Sequence, residues 1–87
     1  MITQKITITN SQGLHMRPAG IFAQEMGKFD CNVYIKFKNN RINAKSLLNI
    51  IAACIKCGSE ISIECEGTDE REAMAKAIEL INSGLGE

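Results

Sequence analysis

Apolar and polar residues alternate along three short stretches of the chain, which is the pattern of strands with one buried face. These stretches are residues 2–8, 32–37 and 61–66. The tripeptide Lys38-Asn39-Asn40 is typical of a hairpin turn, and residues 41–44 behind it are predicted to form a short additional strand. The pattern therefore predicts four strands that contribute to one core.

Two further stretches carry apolar residues at helical spacing. Residues 18–26 predict a first helix that ends at Gly27, since glycine adopts a left-handed conformation at low cost. The last helix is expected to begin after Asp69, which forms a pattern with Glu72 that resembles a capping box, and to end at Gly84. Both helices thus have sequence signals at their ends.

A short helix is also predicted over residues 47–54, with Ser46 as its N-cap. It is apolar on nearly every side, through Leu47, Leu48, Ile50, Ile51, Ala52 and Ala53. A small domain cannot bury every side of a helix, so part of this surface is a candidate docking patch. The alternative, that most of it is core, is equally compatible with the periodicity.

The predicted order of elements is β-α-β-β-α-β-α, an α+β open-faced sandwich with three helices on one side of a four-stranded sheet. A ferredoxin-like split β-α-β arrangement shares most of this order, and periodicity does not fix the order of the strands in the sheet. With 87 residues, the chain is expected to form a single domain over residues 1–87.

Charge and composition argue against several classes of protein. Ten Lys and Arg balance ten Asp and Glu, so there is no basic field to attract nucleic acid. No apolar run approaches the roughly 20 residues of a membrane helix, and the N-terminus lacks the apolar core of a signal peptide. We therefore expect a cytoplasmic protein, not inserted in the membrane, whose four cysteines are reduced thiols.

The only histidine and the only proline lie together in Gly13-Leu14-His15-Met16-Arg17-Pro18-Ala19. This stretch joins a predicted strand to a predicted helix N-terminus, where unpaired N–H groups and the helix dipole favour an anion. Arg17 can donate two parallel hydrogen bonds to a phosphate, and Pro18 suits the helix start because its missing N–H costs nothing. A neutral imidazole is a nucleophile near pH 7, so His15 is suited to accept and pass on a phosphoryl group.

Other chemistry has less support from the residues. A hydrolytic triad would need an acidic partner fixed near His15, and a metal site there would need more ligands, so neither metal nor cofactor is expected. Cys54-Ile55-Lys56-Cys57 is an isolated C-x-x-C, typical of a redox pair or half a zinc site. We favour a structural interpretation, in which Cys54 packs and Cys57 ends the helix. A ferredoxin-like metal-binding domain using these two cysteines is the less favoured alternative.

The motif around His15 resembles the active-site signature of HPr, the histidine-containing phosphocarrier family of the bacterial sugar phosphotransferase system. In that family the signature is Gly-[Leu/Ile]-His-x-Arg-Pro-Ala. Lys45-Ser46-Leu47-Leu48 resembles the family's second signature, at matching spacing, and the resemblance covers the whole chain without insertions. It implies an antiparallel sheet with strand order β1-β4-β2-β3 and three helices on one face.

The same resemblance implies a phosphoryl carrier rather than an enzyme with turnover of its own. His15 would accept a phosphoryl group on Nδ1 from enzyme I and pass it to the IIA domains of sugar permeases, while Arg17 stabilises the phosphorylated state. The docking surface of the family falls on Leu47, Leu48 and Ile51 of this chain. We expect the carrier to act as a monomer.

This sequence departs from the family pattern at three positions. Met16 replaces a small residue or threonine and adds bulk at the rim of the site, so we include it among the docking residues. Asn49 and Cys54 stand where Gram-positive members commonly have glycine.

In low-GC Gram-positive relatives Ser46 is phosphorylated by HPr kinase/phosphorylase, which implies catabolite control protein A as a further partner. The alternative is that Ser46 only caps its helix.

Two related functions remain as alternatives. A regulatory paralogue would only dock to a transcription factor, but the known paralogues of that sort lack the histidine, so His15 argues against this function. A carrier in a nitrogen-regulating branch would use the same chemistry as a sugar carrier. Genomic neighbours would distinguish those two carriers.

Overall fold

The computed structural model describes residues 1–85 and contains a four-stranded antiparallel sheet. Its strands are β1 (Ile2–Thr7), β2 (Asn32–Phe37), β3 (Asn40–Asn43) and β4 (Glu60–Glu66). The strand order is β1-β4-β2-β3, so β4 lies between β1 and β2. This confirms the predicted sheet and settles the strand order, which the hydrophobic alternation left open.

Three helices accompany the sheet: α1 (Met16–Met26), α2 (Leu47–Ala52) and α3 (Glu70–Asn82). Helix α3 packs on β1 and β4, α2 packs on β3, and α1 contacts both of the other helices. The predicted α+β order is therefore correct. Among residues 1–85, no helix combines the length and apolar character that a transmembrane span requires.

Strand register places the apolar residues on the face that the helices cover. Val33 pairs with Cys65 and Ile35 pairs with Ile63, and all four side chains are buried. The intervening residues point to the opposite, open face of the sheet. The open face is polar: the Arg41 guanidinium lies 3.9 Å from the centre of the Tyr34 ring and forms an ion pair with Glu64 at 3.0 Å.

Five elements begin or end one or two residues away from their predicted bounds. β4 begins at Glu60 rather than Ile61. β1 ends at Thr7, although Ile8 is fully buried. β3 covers residues 40–43 rather than 41–44, because the hairpin loop is only Lys38-Asn39, both with positive φ as a tight two-residue turn requires. α2 ends at Ala52 instead of Cys54. The fifth element, α1, differs at its start, which belongs to the candidate site.

The predicted end of α1 at Gly27 is confirmed, but the left-handed conformation expected there and the side-chain cap by Asp69 are not found. Gly27 follows α1 with φ −64°, so it stays right-handed. Asp69 makes no side-chain cap to α3, because its carboxylate instead accepts the N–H groups of Asp30 and Cys31, each at 2.8 Å. These hydrogen bonds lower the pKa of Asp69, and the one from the Asp30 N–H has the larger effect. The predicted stop at Gly84 is confirmed, with φ +88° and a hydrogen bond from Leu85 N–H to Leu80 C=O at 3.0 Å.

Cys54 occupies a position that favours glycine, since its φ is +55° and its Cβ crowds the backbone there. We expect Cys54→Gly to stabilise the fold by about 1 kcal/mol, which is roughly 4–8 °C in Tm for a domain of this size. Thermal unfolding would measure the gain. Cys57→Gly is the matched control, since Cys57 is not among the left-handed residues. An equal change in Tm in the two variants would contradict the backbone strain assigned to Cys54.

Candidate functional site

The loop before α1 is fixed against the segment that follows α2. The Leu14 N–H donates to the Ile55 carbonyl at 2.9 Å, and both side chains are buried. Gly13 has φ +67°, and a Cβ at this position would lie 2.6 Å from the α-carbon of Lys56. Only glycine allows this approach. The loop that carries His15 therefore rests on residues more than forty positions later in the chain.

His15 is the N-cap residue of α1. Its backbone is extended, with φ −78° and ψ −171°, and its carbonyl accepts the Ala19 N–H at 2.9 Å. The imidazole is half-buried and does not cap the helix. His15 thus holds the position at the strand-to-helix junction that the sequence predicts.

The prediction that α1 begins at Pro18 is wrong, because the helix begins at Met16. Pro18 is the third helical residue and is buried. The physical reason is that the whole first turn lacks intrahelical acceptors for its N–H groups, so proline is tolerated at any of these positions. The start two residues earlier brings Arg17 into the first turn, beside His15.

The first turn of α1 has the electrostatic character of an anion site. The N–H groups of Met16 and Arg17 have no partner within the helix, by the geometry of any helix N-terminus. Arg17 is exposed, and residues 16–19 include no acid that would offset the positive end of the helix dipole. An anion bound beside His15 would therefore meet a guanidinium and backbone donors together.

A shallow groove of about 310 Å³ runs beside the imidazole. Its lining residues are Gln12, Leu14, His15, Met16, Ile51, Cys54, Ile55 and Lys56. None of these residues is acidic, and they come from the loop before α1, from α2 and from the segment behind α2. The groove therefore combines apolar walls with one cation, and it opens at the side chain that is suited to nucleophilic phosphoryl transfer.

A family model described as "PTS HPr component phosphorylation site" matches residues 2–83 of the chain. The chain belongs to the HPr family. Members of this family are phosphocarrier proteins, so the chain is a phosphoryl carrier and not an enzyme with turnover of its own. This confirms the family that the two sequence signatures indicate.

Individual relatives of the HPr family align with nearly the whole chain. The phosphocarrier protein HPr of Neisseria meningitidis serogroup A is 36% identical over 87 residues, which cover 100% of this chain and 98% of the relative. The HPr-like protein Crh of Bacillus subtilis is 33% identical over 76 residues, covering 87% of this chain and 89% of Crh. The crystal structure of HPr-C-His from Thermoanaerobacter tengcongensis matches with a TM-score of 0.96 at 37% identity, covering 100% and 98% of the two chains.

The residues predicted for docking by the HPr resemblance divide by exposure. We call Met16, Leu47, Leu48 and Ile51 the apolar patch. Leu48 is 77% exposed and Met16 is 64% exposed, while the other two are half-buried. Ile50, on the inner side of α2, is fully buried. Helix α2 is therefore core on one side and an exposed apolar surface on the other, which answers the question that its composition left open.

Ser46 is the N-cap of α2, as predicted. Its backbone is extended, and its Oγ accepts the Asn49 N–H at 3.3 Å. The residue is half-buried, directly before the apolar patch. A serine here is explained by capping alone.

The two cysteines of the C-x-x-C are both exposed. The expectation that Cys54 packs and Cys57 ends α2 is wrong, because the helix ends before either residue. Within residues 1–85, no group of three or more His, Cys, Asp or Glu side chains is placed to hold a metal ion. The other two cysteines are buried, and burial raises the pKa of the Cys31 thiol to about 12.

Sequence reasoning missed Gln12 and Lys56 as residues of the groove. Both lie in irregular segments, where hydrophobic periodicity gives no information on neighbours. Lys56 lies within the C-x-x-C, a pattern that points to chemistry of its cysteines and not of the lysine. The signal that places it is the contact with Gly13, which only the folded chain reveals.

Proposed function

We propose that this chain accepts a phosphoryl group on Nδ1 of His15 from phosphorylated enzyme I and passes it to IIA domains of sugar permeases. The observation that carries the proposal is the position of His15: a half-buried imidazole at the N-terminus of α1, beside Arg17 and an open groove. Membership of the HPr family supports the same chemistry.

The transfer needs little covalent assistance from the protein. The lone pair of the neutral imidazole attacks phosphorus, a nitrogen–phosphorus bond forms on His15, and the bond to the donor breaks with its electron pair left on the donor. In the delivery step a nucleophilic group of the acceptor attacks the phosphorus, and the nitrogen–phosphorus bond breaks with its electron pair returned to the His15 imidazole. Phosphoryl transfer depends mainly on alignment and on stabilising the charge of the equatorial oxygens. In the proposal, Arg17 and the first-turn N–H groups supply that charge stabilisation.

The partners are proposed to dock on the apolar patch. Two of its residues, Met16 and Ile51, also line the groove, so a partner seated on the patch would bring its own phosphoryl-bearing side chain over His15. His15, Arg17 and the patch all belong to one chain, and the proposed transfer therefore requires only a monomer. We further propose that the chain, residues 1–87, is one phosphocarrier domain that acts in the cytoplasm.

The experiment is incubation of the chain with enzyme I and phosphoenolpyruvate, followed by measurement of the intact mass. We expect one phosphoryl group per chain, lost on brief acid treatment because a phosphoimidazole is acid-labile. Adding a IIA domain should transfer the group and restore the original mass. Absence of any phosphorylation with a competent enzyme I would overturn the proposal.

A second, regulatory role at Ser46 is supported by its place beside the apolar patch. A phosphoserine would add about −1.5 to −2 charges at the start of α2, which the helix dipole tolerates, but it would bring charge to a surface that partners must desolvate. We therefore expect Ser46→Asp to slow phosphorylation of His15 by enzyme I while the Tm stays within a few degrees of wild type.

The control for Ser46→Asp is Ser46→Asn, which retains a capping side chain without charge. Kinetics of phosphorylation by enzyme I and thermal unfolding would separate the two effects. If Ser46→Asp accepts phosphate at the wild-type rate, and a cognate kinase leaves Ser46 unmodified, the residue is only a helix cap.

A further inference from the structure

We propose that Lys56 is a second phosphate-stabilising cation, which acts together with Arg17 on the phosphoryl group held by His15. This inference rests on the proposed function and adds one residue to it. The two cations come from different elements, since Arg17 belongs to α1 and Lys56 to the segment behind α2. The two cations would therefore reach the group from different parts of the fold.

The backbone of Lys56 is fixed close to the loop that carries His15. Its N–H donates to Ser59 Oγ at 3.2 Å, and its carbonyl accepts the Ser59 N–H at 3.0 Å. Its α-carbon is packed against Gly13, two residues before His15. The position from which the lysine side chain starts is thus set by contacts and not by the flexibility of a surface loop.

The side chain of Lys56 is available for an anion. Lys56 is exposed and lines the same groove as His15, and it is the only residue of fixed positive charge among the groove residues. Within residues 1–85 it forms no ion pair, whereas Lys28, Arg41 and Lys76 each engage a glutamate. An ammonium on a four-carbon stem can reach across a shallow groove and binds phosphate as a point charge.

A phosphoryl group placed on His15 would bring roughly two negative charges to this groove near neutral pH. A nearby cation lowers the free energy of the phosphorylated chain and leaves the unphosphorylated chain nearly unchanged. It also favours the fully ionised phosphoryl group and so lowers its second pKa. Because Lys56 is exposed, both effects should be modest and should weaken with added salt.

The test compares Lys56→Gln with wild type in the phosphoryl-transfer equilibrium with enzyme I. We expect the equilibrium constant to shift roughly two- to fivefold toward phosphorylated enzyme I at low salt, which is the scale of one exposed ion pair. Phosphorus NMR of the isolated phosphorylated chain should show a raised second pKa of the phosphoryl group. Lys56→Arg should restore both values, and high salt should reduce the difference.

Lys36→Gln is the matched control, because it removes the same charge from an exposed residue on β2, away from the groove. A role of Lys56 in docking alone would alter rates but not the equilibrium constant between free species. The inference is overturned if Lys56→Gln and Lys36→Gln give the same equilibrium and the same phosphoryl pKa. In that case loss of labelling in His15→Ala would still support the proposed function, whereas failure of wild type to be labelled overturns both.

Discussion

His15→Ala is expected to abolish acid-labile phosphorylation by enzyme I and phosphoenolpyruvate. His15 is the only histidine of the chain, so no other imidazole can take its place. Its side chain is half-buried at the N-terminus of α1 and makes no capping bond, so its loss should leave the helix intact. Intact mass and circular dichroism of the same samples would report labelling and folding together. Full acid-labile labelling of His15→Ala would refute the assignment of the acceptor.

Arg17→Ala should slow the transfer without removing the acceptor. Loss of one donor aimed at the transferring group typically costs 100- to 1,000-fold, and the exposure of Arg17 should reduce this to roughly 10- to 100-fold. Arg71→Ala, on the exposed surface of α3, is the control and should transfer at the wild-type rate.

The strands could be predicted from the sequence because a sheet with one open face imposes a strict alternation. In β4, Ile61, Ile63 and Cys65 are buried while the residues between them are not. The order of the strands could not be predicted in this way, because alternation defines a face and says nothing of neighbours. Only the HPr resemblance supplied β1-β4-β2-β3, which the pairing confirms.

Element ends were less predictable because side chains there have competing partners. Asp69 has the residue type and position of an N-cap, yet its carboxylate accepts two N–H groups from the segment that leads into β2. Gly27 could adopt a left-handed conformation but does not need to, since its N–H bonds to Ala23 in the ordinary way. A local pattern shows which bonds are possible, and the tertiary fold selects among them.

The candidate site follows the same rule. His15 and Arg17 are two residues apart, and a helix start close to both is a local feature that sequence can indicate, although the predicted start lies two residues late. The groove is not local, because it forms where Gly13 and Leu14 meet Ile55 and Lys56 across the fold. Nothing in the spacing of these residues indicates that contact.

Leu48→Asp is expected to raise the apparent KM for enzyme I strongly while the protein stays as stable as wild type. Leu48 is 77% exposed, so the fold gains little from its burial. Burying it at a docked interface would be worth about 1.5–3 kcal/mol, so its loss should raise KM roughly 10- to 100-fold. It is the second residue of α2, where an acidic side chain is favourable to the helix dipole.

Ala75→Asp supplies the matched control, since it adds the same charge to an exposed position on α3. Steady-state phosphorylation at varied carrier concentration would give KM, and urea unfolding would give stability. A patch that only covers the core would show the opposite behaviour: a large loss of stability in Leu48→Asp with KM unchanged. Ile50→Asp should behave in that way, because Ile50 is fully buried on the inner side of the same helix. The contrast between positions 48 and 50 therefore separates docking from packing within two residues of one helix.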